Sequence, residues 1–283
     1  MNILDDFDLS GVRILVLTKL YNDKYLDEKI GKFIDSFPII VKQDADVFTE
    51  EGKILLRFRK NMIATKLIND AYAALGKHLD CLSDARTDSS GGKNINAKSN
   101  IIGFFDKHSI SLVAKARREK TTLPDCKKPR LTAFSRDKPT NYAKTFPFIE
   151  AVDKCYKLLC PTEYGKQLEV ANFCAPYRIT DTSFTTITIN KNYRTALHRD
   201  KGDYENGFGN LTVFEKGKYD GGFTGFPQYG VAVDCRSGDF LAMDVHQPHA
   251  NTPIVPLSDD YERISFVCYL REGIYNKLKK YGH

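Results

Sequence analysis

Between residues 183 and 190 the chain reads Ser-Phe-Thr-Thr-Ile-Thr-Ile-Asn, an alternating β-branched pattern that predicts a strand with one buried face. Further strands are expected at Asn210–Glu215, Val231–Cys235, Phe240–Asp244 and Arg263–Leu270. Turn signals punctuate them: Lys216-Gly217-Lys218, Asp220-Gly221-Gly222 and Arg236-Ser237-Gly238-Asp239. Short strands joined by glycine-rich turns indicate a sandwich or jelly roll. Upstream the period lengthens. Ile63, Leu67, Ile68, Ala71, Leu75 and Leu79 fall near helical spacing within Met62–Leu79. Phe148–Leu159 reads as a helix stopped by Pro161, with a second short helix near Glu163–Ala171. Lys53–Arg59 reads as a short strand, and Thr87–Asn100 as a loop and the one internal linker candidate. The first 45 residues mix short apolar runs, Val12–Leu20 and Phe37–Val41, with acidic punctuation. The pattern predicts an α+β protein: a jelly-roll core against a helical, basic N-terminal portion.

Composition narrows the class. The chain has 283 residues, 42% hydrophobic and 28% charged, enough for one large domain or two small ones. No apolar stretch approaches the ~20 residues of a membrane span. The opening Met1-Asn2-Ile3-Leu4-Asp5-Asp6 is acidic and unlike a secretory leader, and the seven cysteines are scattered without a Cys-x-x-Cys pair. Free thiols in a reducing, intracellular setting are expected. Charge is unevenly placed. Residues 1–50 carry 6 basic against 10 acidic side chains, residues 51–150 carry 20 against 10, and residues 151–283 carry 16 against 16. Within the middle third, residues 107–144 hold 11 basic and 3 acidic residues. A basic run alone fits a solvated helix and loop, but this concentration also fits a polyanion partner.

The specific chemistry lies in the β-rich part. In His198-Arg199-Asp200, two-residue alternation puts an imidazole and a carboxylate on one face. A third ligand must come from His246 or His249, and His249 is preferred because Ala250-Asn251-Thr252-Pro253 after it reads as a strand-starting turn. Two histidines and a carboxylate suit a non-haem Fe(II) centre with open coordination positions. Arg263, 14 residues beyond His249, shares a strand face with Ser265, a guanidinium and a hydroxyl fit for the distal carboxylate of 2-oxoglutarate. His78 and His108 lie outside this segment, and His283 is terminal.

The run Asn192-Tyr193-Arg194-Thr195-Ala196-Leu197-His198-Arg199-Asp200-Lys201-Gly202-Asp203-Tyr204 resembles the iron-binding strand of the TET/JBP dioxygenases. Gly221-Gly222, Pro227, Tyr229–Asp234, Gly238-Asp239, His249–Pro253 and Arg263–Arg271 extend the likeness, and Arg130–Phe134 resembles a segment upstream of that family's core. It covers Ile101 to Arg271 and is closest in texture to the J-binding-protein and phage or viral branch. Ala250 departs from the pattern, where glycine is common. The resemblance implies residues 1–100 as an α/β extension on the core and residues 101–283 as a dioxygenase domain built on a double-stranded β-helix.

It also implies Fe(II), 2-oxoglutarate and O2 as cofactors, with iron on His198, Asp200 and His249 and the cosubstrate on Arg263, Ser265 and Arg194. The substrate would be the 5-methyl group of thymine or 5-methylcytosine, extruded from double-stranded DNA. Asp203, Tyr177, Arg178 and Asn172 are expected at the base, with Phe173, Phe208 and Tyr219 as further stacking candidates. Lys115, Arg117, Arg118, Lys127, Lys128 and Arg130 are expected on the DNA backbone. Asp203 as an acceptor suits the cytosine amine, whereas the J-binding-protein texture suits thymine. A monomer without membrane contact is expected, in the nucleus or cytoplasm of a host cell or of phage or viral origin. Two alternatives share the fold: an Fe(II)/2-oxoglutarate oxygenase acting on protein or a small molecule, and an inactive DNA-binding module. A cupin-like metal protein would leave Arg263 and Ser265 without a task.

Overall fold

A computed structural model describes residues 2–83, 88–91, 97–108, 110–122 and 125–282; part of the expected Thr87–Asn100 loop, and His283, lie outside them. The N-terminal strands are β1 (Asn2–Phe7), β2 (Arg13–Leu17), β3 (Ile39–Val41), β4 (Ala45–Thr49) and β5 (Ile54–Arg59), with helix α1 (Asp23–Asp27) between β2 and β3. Next come α2 (Thr65–Leu75), β6 (Ser99–Phe105), α3 (Ile110–Arg118), β7 (Arg130–Leu131), α4 (Ala133–Asp137), α5 (Pro139–Ala143), α6 (Phe146–Leu159) and α7 (Pro161–Phe173). The remaining strands are β8 (Thr186–Lys191), β9 (Gly209–Lys216), β10 (Tyr219–Gly221), β11 (Thr224–Phe226), β12 (Val231–Val233), β13 (Phe240–Met243), β14 (Ala250–Asn251), β15 (Ile254–Pro256) and β16 (Glu262–Tyr269). Helix α8 (Glu272–Tyr281) follows β16.

Ten strands form one mixed sheet in the order β1-β2-β4-β5-β13-β9-β16-β8-β6-β7, and β14-β11-β12-β3 form a second. Strand alternation divides the core into two layers. On β16, Ile264, Phe266 and Cys268 join Ile149, Val152 and Tyr156 of α6 beneath the helices. Leu211 and Val213 of β9 and Leu241 and Met243 of β13 turn the other way, onto Phe226, Val231 and Val233 of the small sheet. Arg263 and Ser265 alternate with the helix-facing residues of β16 and so belong to this second face, between the sheets. With the two-stranded β10-β15 ribbon beside these two sheets, the mixed α and β architecture is the expected jelly roll.

The first sixty residues hold more strand than a helical N-terminal portion allows. β5 pairs antiparallel with β13 from Phe240↔Arg59 to Met243↔Leu56, so β1, β2, β4 and β5 continue the large sheet, while β3 joins β12 in the small one. Short apolar runs such as Val12–Leu20 do not separate strand from helix, and the partner strand decides. The expected Met62–Leu79 helix shortens to α2, because Gly76 takes φ +47° and the chain tightens into a 3-10 turn over Gly76–Asp80. Leu79 is still buried. Ser183, read as strand, instead donates its N–H and hydroxyl to the buried Asp153 of α6, at 2.8 and 2.7 Å, and β8 starts three residues later.

All seven cysteines are free thiols, Cys81 and Cys126 exposed and the other five buried. Burial pushes the pKa up to about 11 at Cys155 and about 12 at Cys160 and Cys174, and further at Cys235 and Cys268.

Candidate metal and cosubstrate site

A short antiparallel ladder brings the histidines together. The Asn251 N–H donates to Thr195 O at 3.1 Å, His198 and His249 exchange backbone hydrogen bonds of 3.0 and 2.9 Å, and Asp200 N–H reaches Val245 O at 3.1 Å. The two-residue alternation expected at His198 and Asp200 is carried by a segment after β8 that an isolated bridge joins to His249. His198 Nε2 lies 3.7 Å from one Asp200 oxygen and His249 Nε2 lies 3.6 Å from the other. Each Nδ1 is turned on a backbone carbonyl, Ala196 O at 2.8 Å and Gln247 O at 3.0 Å. Those carbonyls fix the tautomer that leaves both Nε2 lone pairs facing the carboxylate. The ligand atoms of His198, Asp200 and His249 all lie within 4.8 Å of one another, and no other such group is found among the described residues. Burial alone would favour the neutral His249 ring, but Asp200 outweighs it and the pKa is raised. A bound cation would take the place of the proton that Asp200 otherwise draws onto the ring, so the donor set fits a divalent metal. His246, the alternative ligand, sits apart with Nε2 3.2 Å from Tyr204 O.

Arg263 is 2% exposed, and its Nε and Nη2 have no hydrogen-bond partner among the described residues. A buried guanidinium with unused donors is costly unless a carboxylate completes it. The dicarboxylate 2-oxoglutarate fits that demand. Gly222 makes room: a Cβ there would stand 2.9 Å from Arg263 Nε and 3.0 Å from its Cδ. Gly222 takes φ +68°, and its N–H donates to Pro253 O at 2.8 Å, so the turn roofing the arginine is tied to the chain leaving His249. Ser265 Oγ accepts from Asn190 Nδ2 at 3.4 Å. Tyr219 is buried near Arg263; burial keeps its hydroxyl protonated, although the arginine charge pulls the other way.

Several expected site residues have other partners. Arg194 donates to Ile34 O at 3.0 Å and to Asp35 at 2.6 Å, and its guanidinium lies over Phe33. Asp203 is buried, and its backbone pairs with that of Arg271 in an isolated β-bridge; the Arg271 side chain itself binds Asp106 at 2.8 Å, with the Asp203 charge nearby. Arg178 binds Asn172, Asp181 (2.6 Å) and Thr180 O (3.1 Å), so it and Asn172 close a local turn. Tyr177 packs in the small cluster that also takes Tyr204. Of the stacking candidates, Phe208 and Tyr219 are buried, while Phe173 is exposed and meets Tyr275 edge-on. Lys115, Arg117, Arg118, Lys127 and Lys128 are exposed, whereas Arg130 is half-buried and donates to Lys107 O at 2.7 Å.

Sequence reasoning missed the outer support of the ligands. Leu26 of α1 packs on Leu197 and Ala250, the neighbours of His198 and His249. Gly31 N–H and Leu197 O, and Leu197 N–H and Lys32 O, pair at 2.8 Å. Arg199 spans His246 O (2.9 Å) and Asp27 (3.2 Å). No local motif marks α1, because its partners lie some 170 residues away; the paired glycines at 221–222 are the one signal that marked the turn over Arg263.

Two imidazoles and one carboxylate opening between the sheets of a jelly roll define a class, the non-haem iron oxygenases. Within it the chain belongs to the Tet_JBP family, the oxygenase domain of the 2OGFeDO superfamily, whose model matches residues 116–272. That superfamily works with Fe(II) and 2-oxoglutarate. The chain is 31% identical over 274 residues to the "Bifunctional helicase and thymine dioxygenase JBP2" of Leishmania major, covering 96% of this chain and 23% of that protein. It is 30% identical over 180 residues to "Thymine dioxygenase JBP1-A" of Trypanosoma cruzi, covering 62% of this chain and 20% of that one. It therefore spans under a quarter of these relatives. Among solved structures, "NgTET1 in complex with 5mC DNA" superposes with a TM-score of 0.52 at 12% identity, covering 90% of this chain and 93% of the other, a likeness of fold.

Proposed function

We propose that this chain is an Fe(II)- and 2-oxoglutarate-dependent dioxygenase that hydroxylates the 5-methyl group of thymine in duplex DNA. The observation that carries the reading is the pairing of the His198–Asp200–His249 cluster with a buried Arg263 whose Nε and Nη2 lack a hydrogen-bond partner among the described residues. His198, Asp200 and His249 would hold the metal, and Arg263 with Ser265 the distal carboxylate of 2-oxoglutarate. Iron held there would supply the redox chemistry by which O2, 2-oxoglutarate and the methyl group become succinate, carbon dioxide and a hydroxymethyl group. The protein's own part is positional. Ala196 O and Gln247 O hold the two rings, and Arg194 ties the ligand segment to residues 34 and 35.

DNA is supported by the exposed cations of α3 and of Lys127 and Lys128, because phosphate contacts release counterions. A methyl group stacked in a duplex reaches a buried centre only if its base is extruded. Thymine is favoured over 5-methylcytosine by the two relatives whose names carry "thymine dioxygenase". Asp203, an acceptor suited to the cytosine amine, is buried near Arg271 and is set against those names. An intracellular setting goes with DNA as the substrate; no helix among the described residues is long and apolar enough to cross a membrane.

Mass spectrometry of nucleosides tests this directly. Protein, Fe(II) and 2-oxoglutarate are incubated with DNA containing both thymine and 5-methylcytosine, with His198→Ala as control. 5-Hydroxymethyldeoxyuridine is expected only with the native protein. 5-Hydroxymethyldeoxycytidine instead would move the substrate to 5-methylcytosine, and succinate with neither product would remove DNA as substrate.

A further inference from the structure

Helix α8 lies almost wholly beyond the family-matched residues and carries a charge pattern the proposed activity does not use. Ile274 and Leu278, one turn apart, are buried against Leu270, Val170 and Cys174, while Lys279, Lys280 and Tyr281 are exposed. Lys277 Nζ donates to Cys126 O at 2.7 Å and to Asp106 O, which clasps residues 125–128 against the last turn of the helix. Lys127 Nζ then stands 5.9 Å and Lys280 Nζ 5.1 Å from the centroid of the same exposed Tyr281 ring. None of Lys127, Lys128, Lys279 and Lys280 forms an ion pair among the described residues. Lysines at a helix C-terminus suit the helix dipole, which accounts for Lys279 and Lys280. It does not account for a clasp that brings Lys127 onto the same ring, with Lys128 next in sequence and Asp125, whose carboxylate accepts the Lys127 N–H at 2.9 Å, as the one acidic side chain of residues 125–128.

We propose that α8 and residues 125–128 form one surface for the phosphate backbone of duplex DNA, with Lys279 and Lys280 as contacts alongside Lys127 and Lys128. The inference rests on DNA as the substrate. Its placement follows from the other end of the helix. The Glu272 N–H donates to Gly202 O at 3.0 Å, two residues past the ligand Asp200, so α8 starts at the metal segment. Ten helical residues advance ~15 Å, which is about four base steps along one strand. A duplex delivering an extruded base to the site would lay its backbone across this patch a few nucleotides away.

The test is equilibrium binding of the full chain to a short fluorescent duplex across a salt series, comparing native protein with Lys279→Ala/Lys280→Ala. The buried face of α8 is untouched, and an unchanged circular-dichroism melt verifies folding. Each lost phosphate contact lowers the slope of log affinity against log salt by about 0.9, or roughly eightfold in affinity near 0.1 M salt. A slope smaller by about 2 is expected, with recovery in Lys279→Arg/Lys280→Arg. An unchanged slope in the alanine variant, with native protein binding and oxidising DNA, overturns the surface but leaves the proposed function standing. Loss of binding to phosphatidylserine vesicles with an unchanged DNA slope also overturns it. Native protein that binds no DNA overturns both.

Discussion

At the scale of single residues, Arg263 carries the most information. A guanidinium kept from water with unused donors lowers the stability of the ligand-free fold in exchange for a ready carboxylate site. Replacing it by methionine, of similar length and without charge, is expected to raise the melting temperature of ligand-free protein. The same Arg263→Met change should abolish the stabilisation that 2-oxoglutarate gives in the presence of metal, and raise its KM about 100-fold, the loss of a charge-assisted bidentate contact. Thermal melts with and without 2-oxoglutarate check both. This residue was legible in the sequence because a strand's two-residue period puts positions 263 and 265 on one face. His249 was legible over His246 because the turn after it begins β14. Arg194 was placed by resemblance alone, and its hydrogen-bond partners at 34 and 35 could not be seen from 160 residues away.

Elements set the position of those residues. The segment from α1 to Lys32 buttresses the metal ligands from outside through Leu26, Leu197 and Ala250. Leu26→Ala removes a side chain that is 2% exposed and should cost about 3 kcal/mol of stability. It should also weaken Mn(II) binding, read by calorimetry on folded protein, because Leu197 and Ala250 lose the surface that seats His198 and His249. A second junction titrates. Lys191 of β8 bridges Glu262 of β16 at 2.7 Å and Asp80 at 3.0 Å, and Tyr72 of α2 donates to Glu262 at 2.8 Å. Burial pushes the Glu262 carboxyl up, but Lys191 and Tyr72 outweigh it and hold it below its ordinary value; Lys98 and Lys191 do the same for Asp80. Depressed carboxyls bind protons less readily folded than unfolded. Their stabilisation is complete above the ordinary carboxylate range and is lost as pH falls through the folded values. The melting-temperature gap between native protein and Lys191→Met should therefore narrow on acidification below about pH 4.5. The β8 and β16 strands were readable from alternation, whereas this cross-link between them depends on tertiary approach that no local window contains.

For the whole molecule, the large sheet runs without a break from β1 to β7 and draws on both ends of the chain. A fragment beginning at residue 101 would strip β13 of its partner β5 and remove Leu15, Leu17, Val47, Leu56 and Phe58 from the inter-sheet core. Such an edge, Phe240–Met243, is short but wholly apolar and unpaired, and invites aggregation. The fragment is expected to be insoluble or to elute as aggregate, and a soluble monomer with native circular dichroism would refute this. The β-rich core was legible because glycine turns and alternation are local signals. The N-terminal strands were not, because their runs are short and their pairing with residues 240–243 lies far along the chain.

The uneven burial of the thiols gives the molecule two chemical handles. A maleimide dye should react in the native state at Cys81 and Cys126 alone, and a Cys81→Ser variant would leave one. Cys126 sits where its carbonyl receives Lys277, at the rim of the cationic face. On the surface proposed above, a fluorophore there would report the arrival of a duplex, turning the fold's own packing into an optical record of capture.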